Sequence, residues 1–267
     1  MVDQLAIIDE HAIPDANQLV TEDNIPVDNF ASEKQQRLLV SCLYSNLKQQ
    51  PFLAAANVGI YPTASKPPIV PDVFLSLDVE VPENWWEKQH RCYLVWNFGK
   101  PPEIVIEIVS NQIGNELREK LNRYEQMRVS YYIVYDPNQQ LGEQPLLIYE
   151  LRGRRYIKLQ EQWLEQVGLG LTLWQGKFEE RRDIWLRWCD QEGALLLTGD
   201  EQAEQERQRA EQERQRAEQE RQRAEQERQR AEQERQRAEQ ERQQRERLEE
   251  FLRSQGINPN QLPELNE

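Results

Sequence analysis

The chain is poor in the residues that most often announce a catalytic or metal centre. Its 267 residues include two histidines, His11 and His90, far apart in sequence. That argues against a histidine-based triad and against a multi-histidine metal site. The three cysteines, Cys42, Cys92 and Cys189, are widely spaced and odd in number. Without a CxxC pair they indicate neither a zinc site nor a disulfide framework. No glycine-rich loop that cradles phosphates is present, nor a serine-nucleophile elbow, so nucleotide hydrolysis and acyl transfer have no support. No apolar run is long enough to span a bilayer, and the first residues lack the basic-then-apolar order of an export signal. With its unpaired cysteines the chain reads as a cytoplasmic protein in a reducing compartment with no membrane association.

Large apolar residues are almost missing from 203 to 247, so the core must come from the first 200 or so residues. That length suits one domain. The formal net charge is −14. The seven-residue repeat Ala-Glu-Gln-Glu-Arg-Gln-Arg adds nothing to it, because each unit carries two Glu and two Arg. The acidity therefore lies elsewhere, which argues against a broad basic surface for nucleic acid. Local basic clusters exist at Arg118, Lys120, Arg123 and Arg128, and at Arg152, Arg154, Arg155 and Lys158.

Four segments follow. Residues 1–28 are polar and acidic and are expected to be loosely ordered. Residues 29–198 form the core domain, 199–247 a charged heptad-repeat helix, and 248–267 a short terminal helix and tail. Within the domain, 32–48 is expected as an amphipathic helix capped by Ser32, with Leu39, Leu43 and Leu47 at helical spacing. Strands are expected at 52–61 (interrupted by Gly59), 69–79, 103–110 and 131–135, with a hairpin at 146–151 and 156–159 and closing strands at 169–175 and 183–188. A helix at 115–127 falls between the third and fourth strands. The β-β-α-β order indicates an α/β fold on a mixed sheet. Residues 83–99 carry no secure assignment. Thr198 and Glu201 form a capping-box signature that opens the repeat. In the repeat, Glu204 with Arg207 and Glu206 with Arg209 are i,i+3 pairs. A heptad with alanine as its sole apolar position suits a solvated single helix, or a weak alanine-seamed coiled coil.

Three residues carry the chemistry. Glu107 sits inside the apolar run Ile104-Val105-Ile106-Glu107-Ile108-Val109, and a carboxylate there is costly unless something compensates it. A divalent metal is one compensator, since Mg²⁺ binds through one or two carboxylates plus waters and phosphate oxygens. A buried ion pair with Lys120 or Arg118 is the other. Asp72, at the start of a strand in Pro71-Asp72, supplies the second carboxylate if the two strands are neighbours. Lys120, on the following helix, can position a water and stabilise transition-state charge; the plainer reading is an exposed helix lysine. Glu116 lies four residues before Lys120 on the same helical face, and Tyr124 one turn beyond. Asp136 reads as a turn-former, Asp78 and Glu80 as solvated acids, and Glu33 as an acid favoured by the helix dipole, although it could reach a metal.

Taken together, Pro71-Asp72-Val73-Phe74, Pro102-Glu103-Ile104-Val105-Ile106-Glu107-Ile108-Val109-Ser110, Lys120 with Tyr124, Tyr131-Tyr132-Ile133-Val134-Tyr135-Asp136-Pro137 and Gly168-Leu169-Gly170-Leu171 resemble the Uma-two family of restriction-endonuclease-like proteins, in the PD-(D/E)XK nuclease superfamily. The resemblance covers roughly residues 30–200. It implies a restriction-endonuclease-like mixed sheet flanked by helices, followed here by the long charged helix. It also implies Asp72, Glu107 and the Ile108 carbonyl as metal ligands, and a homodimer, with the C-terminal helix as one route to it. The parent motif has its lysine two residues after the second acid, where this chain has Val109. The resemblance suggests that Lys120 takes its place. Glu116 stands where relatives more often have Asp.

The leading expectation is a Mg²⁺-dependent (or Mn²⁺-dependent) endonuclease acting on DNA, with Asp72, Glu107 and Lys120 as catalytic residues. RNA is the weaker choice of substrate. The alternative is a non-catalytic interaction or scaffold protein that keeps the nuclease fold and uses the helix as an oligomerisation arm.

Overall fold

The computed structural model describes residues 29–256 except 64, 65, 82, 85, 88, 89 and 111–115. The expected loose N-terminal segment and the end of the tail lie outside the described residues. Described residues fall into two units that divide between Gln202 and Ala203.

The first unit opens with helix α1, Phe30–Asn46. Its cap is Asn29, one turn before the expected Ser32. The Asn29 side chain accepts from the backbone N–H groups of Ala31 and Ser32, satisfying two of the orphan donors of a helix start. Ser32 is instead buried in the first turn. The Leu39 and Leu43 stripe packs inward as its spacing predicts, and truncating either residue to alanine costs about 2–5 kcal/mol.

A six-stranded mixed sheet follows, built from β1 (Phe52–Ala56), β3 (Val73–Leu77), β5 (Ile104–Ile108), β6 (Tyr131–Tyr135), β7 (Leu146–Arg152) and β8 (Arg155–Leu159), in the order β1-β3-β5-β6-β7-β8. Within this sheet the β5–β6 pair is parallel and the other pairs are antiparallel. The strand expected over 52–61 ends at Ala56, because Asn57 takes a left-handed conformation, φ 55°. The chain then re-enters extended structure as β2 (Ile60–Tyr61), which pairs with β4 (Tyr93–Leu94) in a separate two-stranded sheet. The strand expected over 69–79 is likewise shorter, with Ile69 making an isolated bridge to Ile60. The unassigned stretch holds β4 and the short helix α2, Val95–Phe98.

The central strands are buried on both faces. Ile104, Ile106 and Ile108 join one apolar layer with α1 and with a three-stranded sheet made of β9 (Trp163–Leu164), β10 (Leu169–Phe178) and β11 (Arg181–Cys189). Val105 and Val109 join the opposite layer with Tyr124, Tyr132 and Phe74. Glu107 has the parity of this second layer, so strand alternation alone aims it into apolar surroundings. The expected helix over 115–127 begins, among described residues, as a π-helical turn, Glu116–Lys120, and continues as α3, Leu121–Met127.

At the end of the unit, Thr198 and Glu201 form the expected capping box: Glu201 N–H donates to Thr198 Oγ1, and Thr198 N–H donates to Glu201 Oε2. Glu201 also receives both terminal nitrogens of Arg187, at 2.9 and 2.7 Å. Arg187 is 1% exposed and stacks over Trp174.

The second unit is helical. It belongs to α4, Gly199–Ser254, whose described residues are nowhere buried. The segment from Leu248, expected as a separate short helix, continues α4 to Ser254. No described residue between the repeat and Leu248 breaks helical geometry. Glu204–Arg207 forms at 3.0 Å, and the equivalent pairs recur at Glu225–Arg228 and Glu239–Arg242. No helix of the described residues is long and apolar enough to cross a membrane.

Candidate active site

The antiparallel β3–β5 register pairs Val73 with Ile106. Carried one residue further, it sets Asp72 across from Glu107. Asp72 is tied to β5 directly, because its Oδ2 accepts from the Ile108 N–H at 2.6 Å. Its Oδ1 accepts from Gln36 Nε2 of α1 at 2.9 Å. The two strands are therefore neighbours, and their carboxylates share one end of the sheet.

Glu107 is 1% exposed. Tyr124 O–H donates to its Oε1 at 2.7 Å, and Lys120 Nζ donates to its Oε2 at 2.8 Å. The same ammonium reaches Glu116 Oε1 at 3.2 Å. Glu116, Lys120 and Tyr124 are spaced by four residues. The π-helical turn, with its i→i+5 bonding, stacks the first two above each other and turns them to the strand. Lys120 is thus no ordinary solvated helix lysine, and Glu107 takes its ion pair from Lys120 rather than Arg118.

Burial pushes the Glu107 carboxyl up to about 8, a shift opposed by Lys120 and reinforced by the charge of Asp72. Burial also works against the charge of Lys120, but Glu107, Glu116 and Asp72 together raise its pKa. Burial and the neighbouring Glu107 push the Tyr124 hydroxyl well above the usual phenol range, so it acts as a donor. Three carboxylates therefore surround one ammonium, and Glu116 Oε2 is buried without a hydrogen-bond partner.

A hard divalent cation suits this donor set. All its side-chain donors are oxygens, the negative charge exceeds what Lys120 neutralises, and the most buried carboxylate ionises with difficulty unless a further cation is near. Among the described residues no group of three or more His, Cys, Asp or Glu is arranged to hold a metal. Mg²⁺ commonly takes only one or two carboxylates from a protein, with waters and phosphate oxygens completing the shell.

Other candidates stand elsewhere. Glu33 is exposed and pairs with Arg37. Asp136 is buried and accepts from the N–H groups of Gln140 and Leu141, as a turn-former does. Asp78 and Glu80 are exposed. The basic clusters are largely engaged: Arg123 with the Pro67 and Pro68 carbonyls, Arg128 with the Gly153 carbonyl, Arg152 with Glu150, and Arg155 with Glu125.

Sequence reasoning missed Gln36, Asn57 and Tyr132, whose O–H donates to the Glu116 carbonyl. A signal existed for Gln36. It lies three residues before Leu39 and seven before Leu43, on the buried stripe of α1, and a buried amide must have a partner.

The model of the Uma2 family, described as "Putative restriction endonuclease", matches residues 20–173, more than half of the chain. Among solved structures the chain is similar to a protein from Anabaena variabilis, described as a putative nuclease belonging to DUF820. The two share 17% identity, with 51% of this chain and 71% of that one covered and a TM-score of 0.37. No curated protein matches.

Proposed function

The chain belongs to the Uma2 family of restriction-endonuclease-like proteins, and from that premise we propose that it is a Mg²⁺- or Mn²⁺-dependent endonuclease that hydrolyses phosphodiester bonds of DNA. The observation that carries the proposal is Glu107: a carboxylate buried in a strand, held on both oxygens, with Asp72 across from it and Lys120 at 2.8 Å. A bound divalent cation supplies Lewis acidity at the phosphoryl oxygens and a water of lowered pKa. Asp72 and Glu107 would hold the cation, with the Ile108 carbonyl as a further ligand. Lys120, fixed between Glu107 and Glu116, orients the attacking water and donates to the phosphoryl oxygen as charge gathers there. Tyr124 keeps the Glu107 carboxylate from rotating. Water's hydroxyl joins phosphorus, the bond to the leaving oxygen breaks, and that oxygen ends protonated.

The free cysteines Cys42, Cys92 and Cys189 accord with a reducing cytoplasm, which we include in the proposal. We also include a homodimer. Leu252 lies a whole number of heptads after Ala203, so the alanine seam runs in phase into the exposed Leu248 and Phe251 region. Sedimentation of the full chain tests it.

Nicking of supercoiled plasmid by the wild type and Glu107→Ala, with Mg²⁺, Mn²⁺ or chelator, tests the central claim. Metal-dependent nicking lost in the variant is the expected result. Equal nicking by both proteins removes Glu107 from the chemistry. RNA cleavage in place of DNA cleavage retains the site and changes the substrate. Absence of nicking together with absence of Glu107-dependent metal binding favours the scaffold reading, whose support is the long exposed helix.

A further inference from the structure

Asp72 is enclosed by a ring of hydrogen bonds that no reading of the motif foresees. Its backbone carbonyl accepts from the Asn57 N–H at 3.2 Å. Asn57 Nδ2 donates to Gln36 Oε1 at 3.0 Å. Gln36 Nε2 donates to Asp72 Oδ1 at 2.9 Å and closes the ring. The other carboxylate oxygen is fixed by the Ile108 N–H.

The ring has a direction. An amide can be turned end for end, and its orientation follows from its partners. If Gln36 turned over, its carbonyl oxygen would face Asp72 Oδ1 and its NH₂ would face the Asn57 NH₂. Both contacts become repulsive, so the carboxylate fixes which end of Gln36 faces it, and Asn57 supports that orientation by donating to Gln36 Oε1, with its own Oδ1 3.5 Å from Gln36 Nε2. Asn57 is itself in the left-handed region, φ 55°, which asparagine tolerates better than most residues. Gln36 is 2% exposed, so water does not readily substitute for its amide.

The charge count explains an amide at this place. Asp72, Glu107 and Glu116 already outnumber Lys120, and a glutamate at position 36 would add a fourth carboxylate. The glutamine donates to Asp72 without adding charge.

We propose that Gln36, supported by Asn57, is a positioning residue that holds the Asp72 carboxylate in the geometry that binds the divalent cation. The inference rests on the metal-dependent reading of the site. In this role each residue acts through Asp72. Outer partners of metal-binding carboxylates typically change affinity 10–100-fold when removed.

The test is Mn²⁺ binding to the full chain without nucleic acid, read from the electron paramagnetic resonance signal of free Mn²⁺. Wild type is compared with Gln36→Met, Asn57→Gly and the double variant, with Asp72→Ala as reference. Glycine accepts the left-handed conformation and removes only the side chain. Gln36→Met is expected to weaken Mn²⁺ binding about 10–100-fold. Asn57→Gly should weaken it in the same direction by less. The double variant should bind no more weakly than Gln36→Met, because the two residues act in series. Far-ultraviolet circular dichroism confirms folding, and if Gln36→Met does not fold, Asn57→Gly carries the test alone. Wild-type affinity in folded variants, while Asp72→Ala abolishes binding, overturns this inference and leaves the nuclease proposal standing. Additive losses overturn the series arrangement. Wild type without Asp72-dependent binding overturns the metal reading, and this inference with it.

Discussion

Lys120 lies 2.8 Å from Glu107, and Arg207 lies 3.0 Å from Glu204. By distance the two ion pairs are nearly the same. Their surroundings differ: the Glu107 side chain is 2% exposed and that of Glu204 is 54% exposed. In the first pair, desolvation is a large cost that the partner only partly offsets, so the carboxyl's pKa rises and the site attracts further positive charge. In the second, water and salt screen the interaction to a few tenths of a kcal/mol, and the pair does little beyond supporting its helix. Burial, rather than the presence of an acid and a base, separates the two pairs.

The largest expected effect on stability lies between these extremes, at Arg187 and Glu201. Arg187 is fully buried, yet its partner stands on the first turn of the exposed helix. Glu201→Ala leaves the guanidinium without its carboxylate and removes the capping box, so we expect a loss of about 3–5 kcal/mol, read from the denaturant midpoint. A loss below 1 kcal/mol would place this pair with the surface pairs. Next comes Lys120→Met, which keeps the volume and removes the charge. The rate of metal-dependent nicking should fall about 10²–10³-fold. The Glu107 carboxyl should also move further up, because Lys120 is what holds it down. An unchanged rate would reduce Lys120 to a structural partner.

The pH dependence separates the regions in another way. Burial raises the Glu107 carboxyl from its ordinary value of 4.5 to about 8 in the folded protein. Between these values the native state holds the extra proton, so stability falls as pH rises from about 4.5 to about 8, and levels off above. Lys120 does not contribute in that window, because its raised pKa loses stability only at alkaline pH. Glu107→Gln should remove the slope. Urea unfolding of wild type and variant at pH 5, 6.5 and 8.5, in chelator, measures the difference. Saturating Mn²⁺ should flatten the wild-type slope as well. A slope equal in both proteins would mean that Glu107 ionises freely.

Much of this was legible in the sequence because the relevant signals are local. One charge in a run of β-branched residues marks a doubly buried strand, and Glu107 is where that reading placed it. The four-residue spacing of Glu116, Lys120 and Tyr124 marked a common helical face. The capping box at Thr198 and Glu201 was visible as a short motif. What stayed hidden depends on tertiary pairing. The left-handed turn at Asn57 ends β1 because the chain must leave for the second sheet. The cap moved from Ser32 to Asn29 because Ser32 is needed inside. Gln36 meets Asp72 only when α1 crosses the ends of β3 and β5, and the spacing of 36 residues between them carries no period. The π-helical turn was hidden too, since glutamate, leucine, arginine and lysine suit an α-helix equally well.

The smallest expected effect completes the comparison. Glu225 and Arg228 are 3.9 Å apart on the repeat, with side chains 59% and 84% exposed. Glu225 also receives the side-chain amide of Gln229, a contact that the carbonyl oxygen of a glutamine keeps, so the substitution removes the ion pair alone. Glu225→Gln should therefore cost under about 0.5 kcal/mol of helix stability and leave nicking unchanged. Helicity measured by circular dichroism on heating, in low salt and in 1 M salt, checks the first point, and the plasmid assay checks the second. Removal of one entire unit, residues 217–223, is the stricter form. Seven residues make nearly two turns, so the helix keeps its phase to within about 20° and shortens by roughly 10 Å. If the helix is only a solvated spacer, neither change alters nicking, and the isosteric change at Glu107 abolishes it. If removing one unit alters the oligomeric state or the activity, the exposed glutamates and arginines of the repeat face a partner.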